Sequence, residues 1–270
     1  WNFGYKMLLS SLLDTIFNNI YTLVIGKFYS ARDLGNYSRA SHYAQMASSQ
    51  LNGIFSGVAF PMLCSIQNDM ERLARVYRQY LRVIAFIVFP LMVGMSAVAK
   101  PLIIVMLTEK WIDVVGLLQI ICLSMMWYPV HAINLSLLQV KGRSDLFLRL
   151  EVIKKIIIVI VMCITVPISI KAMVIGSLCT SLICLFINTY YTGKLINVGY
   201  LKQMKDLLPI LLLALFMGLC VYIITLVVPG YLLQLIIGVI SGMIIYVGIA
   251  YLFKMSELKE LLTLIKLRKK

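Results

Sequence analysis

Charge is scarce in this chain, and acid is the scarcest part of it: 13% of its 270 residues are charged, and Asp and Glu together number only 11. A soluble domain of this length ordinarily carries charge at about a quarter of its positions. Ten of the acids fall in loops or at helix ends, so no paired carboxylates stand at enzyme spacing. The chain also has no Gly-rich phosphate loop, no His-Cys cluster, and no nucleophile with a base in the same loop. These absences argue against an ATPase or a hydrolase, and no enzymatic activity is expected. The six cysteines, Cys64, Cys122, Cys163, Cys179, Cys184 and Cys220, fall in or at the end of apolar runs without metal-type spacing. They read as small core residues rather than disulfides or ligands, and neither metal nor cofactor is expected. The net charge of +14 has no aromatic-basic stripe beside it and sits in short loops, so nucleic acid is not an expected partner.

What the chain has in excess is apolar length. Hydrophobic residues make up 61% of it, with a mean hydropathy of +0.93. Several runs reach the ~20 apolar residues that span hydrocarbon. The expected fold is an all-α, polytopic membrane helix bundle of about eight transmembrane helices. Spans are expected at about Asn2–Phe28, Asn36–Ile66, Val83–Leu107, Val114–Val140, Leu146–Ile170, Ala172–Leu195, Leu207–Val228 and Tyr231–Phe253. Residues 29–35 read as a charged turn, and Asp69–Arg82 as an amphipathic segment in the headgroup layer. Glu151 and Lys155, one turn apart, are expected to pair at the membrane interface. The organisation is then a six-helix unit over 1–200, two further transmembrane helices over 201–254, and an amphipathic basic tail over 255–270 that lies on the membrane surface. Trp1 is not a natural chain start, so the sequence is expected to be a piece of something longer.

Lys and Arg accumulate in cytoplasmic loops. Under these spans nineteen of them fall on the side of the chain's start and six on the other, which places both ends in the cytoplasm of a cell with this protein in its inner membrane.

Polar residues inside the spans point to a cavity, because hydrocarbon offers no hydrogen-bond partner. On the second helix Ser38, His42, Gln45, Ser49, Asn52 and Ser56 recur at steps of four and three, so they share one face. The first helix carries a matching line, Ser11, Asp14, Asn18 and Tyr21. Asp14 is the sharpest signal, since an acid at mid-membrane costs roughly 2.5–3.5 kcal/mol on insertion scales. Candidate substrate-binding or coupling residues are Asp14, Asn18, Tyr21, Arg39, His42, Gln45, Ser49 and Asn52, with His131 and Asn134 as lesser contributors from the fourth helix. Structural hydrogen bonds are the competing reading for Asp14, His42, His131 and Asn134, and snorkelling to the interface is the competing reading for Arg39.

The run Thr15 to Ala40, TIFNNIYTLVIGKFYSARDLGNYSRA, resembles the junction of helices seven and eight in the Wzx-type polysaccharide exporters. Tyr29-Ser30, Leu34 to Ala40 and Phe60-Pro61 carry most of that likeness. These proteins belong to the multidrug/oligosaccharidyl-lipid/polysaccharide flippase superfamily. The resemblance implies a two-lobed bundle of fourteen helices, of which this chain would hold helices seven to fourteen, with the first lobe as a missing partner. It also implies a lipid-linked oligosaccharide as substrate, an undecaprenyl-pyrophosphate-linked unit of O-antigen lipopolysaccharide or capsule, moved across the cytoplasmic membrane. Membrane lipids and polysaccharide polymerase machinery are further implied partners. The competing readings are a cation-coupled multidrug or metabolite antiporter of the same superfamily and a non-transporting membrane scaffold of a glycan assembly complex.

Overall fold

The computed structural model describes the backbone of residues 2–261, and the side chains of these except at 2–7, 9–11, 13, 14, 18, 49–56, 58 and 59. Ten α-helices follow one another among the described residues: α1 (Asn2–Phe28), α2 (Ala31–Ser65), α3 (Met70–Ala97), α4 (Ala99–Leu107), α5 (Val114–Met125), α6 (Tyr128–Val140), α7 (Ser144–Thr165), α8 (Ile170–Ile196), α9 (Tyr200–Val227) and α10 (Tyr231–Leu252). A 3-10 turn at Glu109–Trp111 joins α4 to α5. The molecule is a polytopic helical bundle. Among the described residues, five rods are long and apolar enough to cross a bilayer: α3, α5 with α6, α8, α9 and α10.

Several boundaries differ from expectation for identifiable reasons. The charged stretch 29–35 is mostly helix, because Ser30 caps α2: its Oγ accepts from the Asp33 backbone N–H, and Asp33 reaches back to the cap. Asp69–Arg82 is not a separate surface segment. Asp69 caps α3, and Leu73, Tyr77 and Leu81 are fully buried on the same stripe that continues through Ile84, Val88 and Met92. The segment is the lower part of one long rod. The fourth expected helix is two, α5 and α6, because Pro129 stands at the second position of α6 and cannot continue the ladder of α5.

α3 is the hub. It packs along α9 and also touches α2 and α5, while α10 lies on α9 and α4. The α3–α9 and α9–α10 contacts are close because small residues sit where the helices meet, as is common where lipid gives helices no hydrophobic reason to associate. A Cβ built on Gly218 would lie 2.4 Å from Val93 Cγ1, and one on Gly242 would lie 3.1 Å from Val221 Cγ2. Gly218→Leu is therefore expected to lower stability by about 1–3 kcal/mol through overpacking. Thermal unfolding of the full-length protein in detergent reads this out, and an unchanged midpoint would contradict the α3–α9 contact.

Polar ties fix the two ends of this assembly. The Arg78 guanidinium grips Asp206 with two bonds of 2.7 Å, and Arg82 pairs with Glu257 at 3.3 Å. Tyr246 donates its hydroxyl to the Phe86 carbonyl at 2.9 Å, tying α10 to α3. Leu258 and Leu261 pack against the core and Glu257 pairs with Arg82 of α3, so the start of the expected tail lies against the bundle, while 262–270 lie outside the described residues. At the opposite end Arg32 pairs with Asp113 at 2.7 Å, and the Tyr29 hydroxyl donates to the Val166 carbonyl at 2.5 Å.

Candidate functional site

α1, α2, α5, α6, α7 and α8 do not close on one another completely. They enclose a cavity of about 490 Å³, within the size range of about 300–1,000 Å³ typical of ligand sites. Its wall is mixed. α1 gives Phe17 and Tyr21, and α2 gives Tyr37, Ser41, Gln45 and Ser48. Ser124, Met125, Tyr128 and His131 come from the α5–α6 break, and Glu151, Lys154 and Lys155 from α7. α8 adds Ser177, Thr180 and Ser181.

Local chemistry explains why the wall is polar here. Pro129 has no N–H, so the Met125 carbonyl four residues earlier loses its helical donor. Ser48 on α2 donates its hydroxyl to that carbonyl at 2.9 Å. The helix break thus both opens the wall and holds α2 against it. Gln45 donates to Ser41 Oγ at 2.8 Å, leaving a row of hydroxyl and amide groups along α2. Tyr21 and Tyr37 stack with ring centroids 6.4 Å apart, bridging α1 and α2.

His131 has a partner on each ring nitrogen: Ser181 Oγ lies 3.1 Å from Nε2 and Asn188 Nδ2 lies 3.1 Å from Nδ1. With the Asn188 amide donating to Nδ1, the ring carries its proton on Nε2 and donates to Ser181. Both contacts reach α8, so His131 fastens α6 to α8 as well as lining the cavity.

The charged part of the wall is on α7. Glu151 is 1% exposed, its carboxylate held by the ammonium of Lys154 and, at 3.4 Å, by that of Lys155. Lys155 also lies over the Phe17 ring, 5.3 Å from its centroid. The trio begins seven residues into α7, about 10 Å along its axis at 1.5 Å per residue. The expected pairing of Glu151 with Lys155 is present, and Lys154 joins it inside the bundle. Their spacing was visible in the sequence, but Gly142 and Ser144 start α7 earlier than the apolar run alone suggests.

Of the residues singled out by sequence, Tyr21, Gln45 and His131 meet on this cavity. Asp14, Asn18, Ser49 and Asn52 lie outside the described side chains. Arg39 and His42 are exposed and do not line it; Arg39 lies over the Trp111 ring at 5.8 Å. Asn134 is not on the wall either. It is 1% exposed and bonded on both sides, its amide donating to Val130 O and Gln203 Oε1 while its carbonyl accepts from Thr192 Oγ1 and Gln203 Nε2. This network joins α6, α8 and α9 behind the cavity. Asn134→Leu would strand the buried Gln203 amide and Thr192 hydroxyl, and a loss of about 1–3 kcal/mol is expected. Thermal unfolding of Asn134→Leu against a Gln203→Leu/Asn134→Leu double variant tests this, because removing both polar partners should recover part of the loss.

Among the described residues, no group of three or more His, Cys, Asp or Glu side chains is placed to hold a metal ion.

Residues 1–116 match the family model for polysaccharide biosynthesis proteins. An uncharacterised membrane protein in the cps region of Klebsiella pneumoniae is 31% identical over 58% of this chain and 32% of its own length. The lipopolysaccharide biosynthesis protein WzxC of Escherichia coli K12 is 30% identical over 56% of this chain and 31% of its own. Among solved structures, the lipid II flippase MurJ in an inward closed conformation superposes with a TM-score of 0.76 at 17% identity, covering 92% of this chain and 53% of that one. These matches cover about a third of each curated relative and about half of the flippase chain, so this chain spans only part of the length of the proteins it matches. The first 116 residues are thus similar to polysaccharide biosynthesis proteins, and the fold of the chain is that of part of the MurJ flippase.

Proposed function

We propose that this chain forms one lobe of a flippase that carries a lipid-linked oligosaccharide across the cytoplasmic membrane. The observation that supports this reading is the polar cavity inside an apolar bundle, with hydroxyl, amide and imidazole groups on one wall and two ammonium groups on another. Sugar hydroxyls need neutral donors and acceptors, which Ser41, Gln45, Ser177 and Ser181 offer. A phosphate-linked sugar also needs cations, which Lys154 and Lys155 offer. No step of bond making or breaking is required, and the reading is transport rather than catalysis.

Asp14, Asn18, Ser49 and Asn52 stand three or four positions from Phe17, Tyr21, Gln45 and Ser48 along the same helices, and we propose them as the continuation of this wall. Asp14 would then couple transport to a proton or cation, or orient the substrate. Alternating access needs two lobes that rock against each other, so the working transporter includes a partner lobe. The nineteen-to-six distribution of Lys and Arg supports an inner-membrane protein with both ends of this chain cytoplasmic. Among the described lining residues the acid is Glu151, already bridged by two ammonium groups, which disfavours an antiporter for cationic drugs.

The test is a strain deleted for the full-length gene, assayed for lipid-linked oligosaccharide in the cytoplasmic leaflet and for susceptibility to cationic drugs. The expected result is accumulation of the lipid-linked unit, loss of surface polysaccharide and unchanged drug tolerance. Normal surface polysaccharide with increased drug sensitivity would overturn the reading in favour of the antiporter. Loss of surface polysaccharide on deletion, combined with export that survives replacement of the polar lines by Leu or Ala, would favour the scaffold.

A further inference from the structure

A second hollow lies beside the cavity, on the exposed outer face of α7. It is a groove of about 290 Å³ between α1 and α7, lined by Phe17, Val152, Lys155, Ile156, Val159 and Ile160. Apart from the Lys155 side chain its wall is apolar. Val152, Ile156, Val159 and Ile160 are each 41–54% exposed, so the groove opens outward from the bundle. Phe17 and Lys155 belong to both hollows. The partition between polar cavity and apolar groove is therefore one aromatic ring with an ammonium group above it.

We propose that this groove seats the first isoprene units of the substrate's lipid tail, with the anionic linkage at Lys155 and the sugar in the cavity behind it. The proposal rests on the flippase reading and specifies how the amphiphile enters that site. The observations support this occupant in three ways. The junction places a cation where an amphiphile changes from apolar to charged, and an extended Lys side chain with its stem along apolar surface and its head in a polar space suits that boundary. The branched residues at 152, 156, 159 and 160 recur at three- and four-residue steps, forming a continuous strip along α7 that an extended chain can follow. Finally, the groove is continuous with the cavity through shared residues, so a single molecule can fill both without leaving the bilayer. Its headgroup would cross the bundle interior while its tail stays in hydrocarbon, avoiding the large cost of moving a long apolar chain through a polar space.

Filling the groove without touching the cavity separates the two parts. Full-length protein in nanodiscs would be titrated with undecaprenyl pyrophosphate, farnesyl pyrophosphate and inorganic pyrophosphate, using the wild type, Ile156→Trp, Val159→Phe and the control Ile164→Trp. Ile164 is an exposed residue of α7 that does not line the groove. The wild type and Ile164→Trp are expected to bind both lipid pyrophosphates at least tenfold more tightly than inorganic pyrophosphate. Ile156→Trp and Val159→Phe are expected to lose most of that difference while binding inorganic pyrophosphate as the wild type does. Retention of the full lipid advantage in both groove variants would place the tail elsewhere and overturn the inference, including the outcome in which the groove holds only a bilayer phospholipid. Wild-type protein that binds none of the three probes, in a strain whose surface polysaccharide survives deletion, would overturn the flippase reading itself.

Discussion

If the full-length protein carries a pyrophosphate-linked oligosaccharide as proposed, replacing Lys154 and Lys155 together by Met is expected to lower that transport by about 100-fold. Hydrogen bonds to charged groups contribute roughly 1.5–3 kcal/mol each, so losing two amounts to about 3 kcal/mol or more, and every 1.4 kcal/mol is about a factor of ten. The same change removes both ammonium groups from Glu151, which is 1% exposed. Breaking a buried pair in this way costs about 3–5 kcal/mol, so the double variant alone would confuse misfolding with lost binding. The triple variant Glu151→Gln/Lys154→Met/Lys155→Met removes the carboxylate as well. It should fold, because neutralising a whole buried ionic cluster is often neutral or stabilising, and it should still fail to transport. Lys154→Arg/Lys155→Arg keeps both positive charges and should retain much of the activity. Transport into proteoliposomes, read beside thermal unfolding in detergent, separates these outcomes. A triple variant that folds and transports at the wild-type rate would remove the two lysines from the site.

The helices were legible in the sequence where apolar runs are long and uninterrupted. α10 falls at the expected position because nothing inside that run competes with a spanning helix. α3 was legible only in part: Arg72, Arg75, Arg78 and Arg82 suggested a surface segment, whereas the buried stripe Leu73, Tyr77, Leu81, Ile84, Val88 and Met92 keeps one period through both halves. Composition pulled one way and periodicity the other, and periodicity won because the Arg side chains find Asp206 and Glu257. On α2 the difficulty was rotational. Ser38, His42, Gln45 and Ser49 form one polar line, and Tyr37, Ser41, Gln45 and Ser48 form another turned by roughly 75°, with Gln45 common to both. Both are chemically suitable for a cavity, and the sequence of α2 does not state which neighbour it meets. The deciding contact, Ser48 on the carbonyl freed by Pro129, lies 77 residues away in the chain. The α7 trio was missed because two adjacent lysines at the mouth of a span normally mark an interface. Only the packing of α1 and α8 around them turns that end of α7 inward.

Arg78→Ala is expected to cost about 3–5 kcal/mol of stability, and Asp206→Ala only about 1 kcal/mol, although the two substitutions break the same contact. The pair is bidentate, and its two sides stand in different surroundings: the Arg78 side chain is 40% exposed and that of Asp206 only 7%. Removing the guanidinium leaves a carboxylate in a confined site with no cation to replace water. Removing the carboxylate leaves a guanidinium that can rehydrate where it stands, so the loss approaches that of an exposed pair. The double variant Arg78→Ala/Asp206→Ala should then be no less stable than Arg78→Ala alone, because the stranded charge is gone. Thermal unfolding of the three variants in detergent gives the comparison. The asymmetry also tests the architecture, since it arises only if 70–82 is the lower part of α3, held against α9. Were this stretch an amphipathic segment lying among lipid headgroups, both side chains would face water, and the two single substitutions would cost the same small amount.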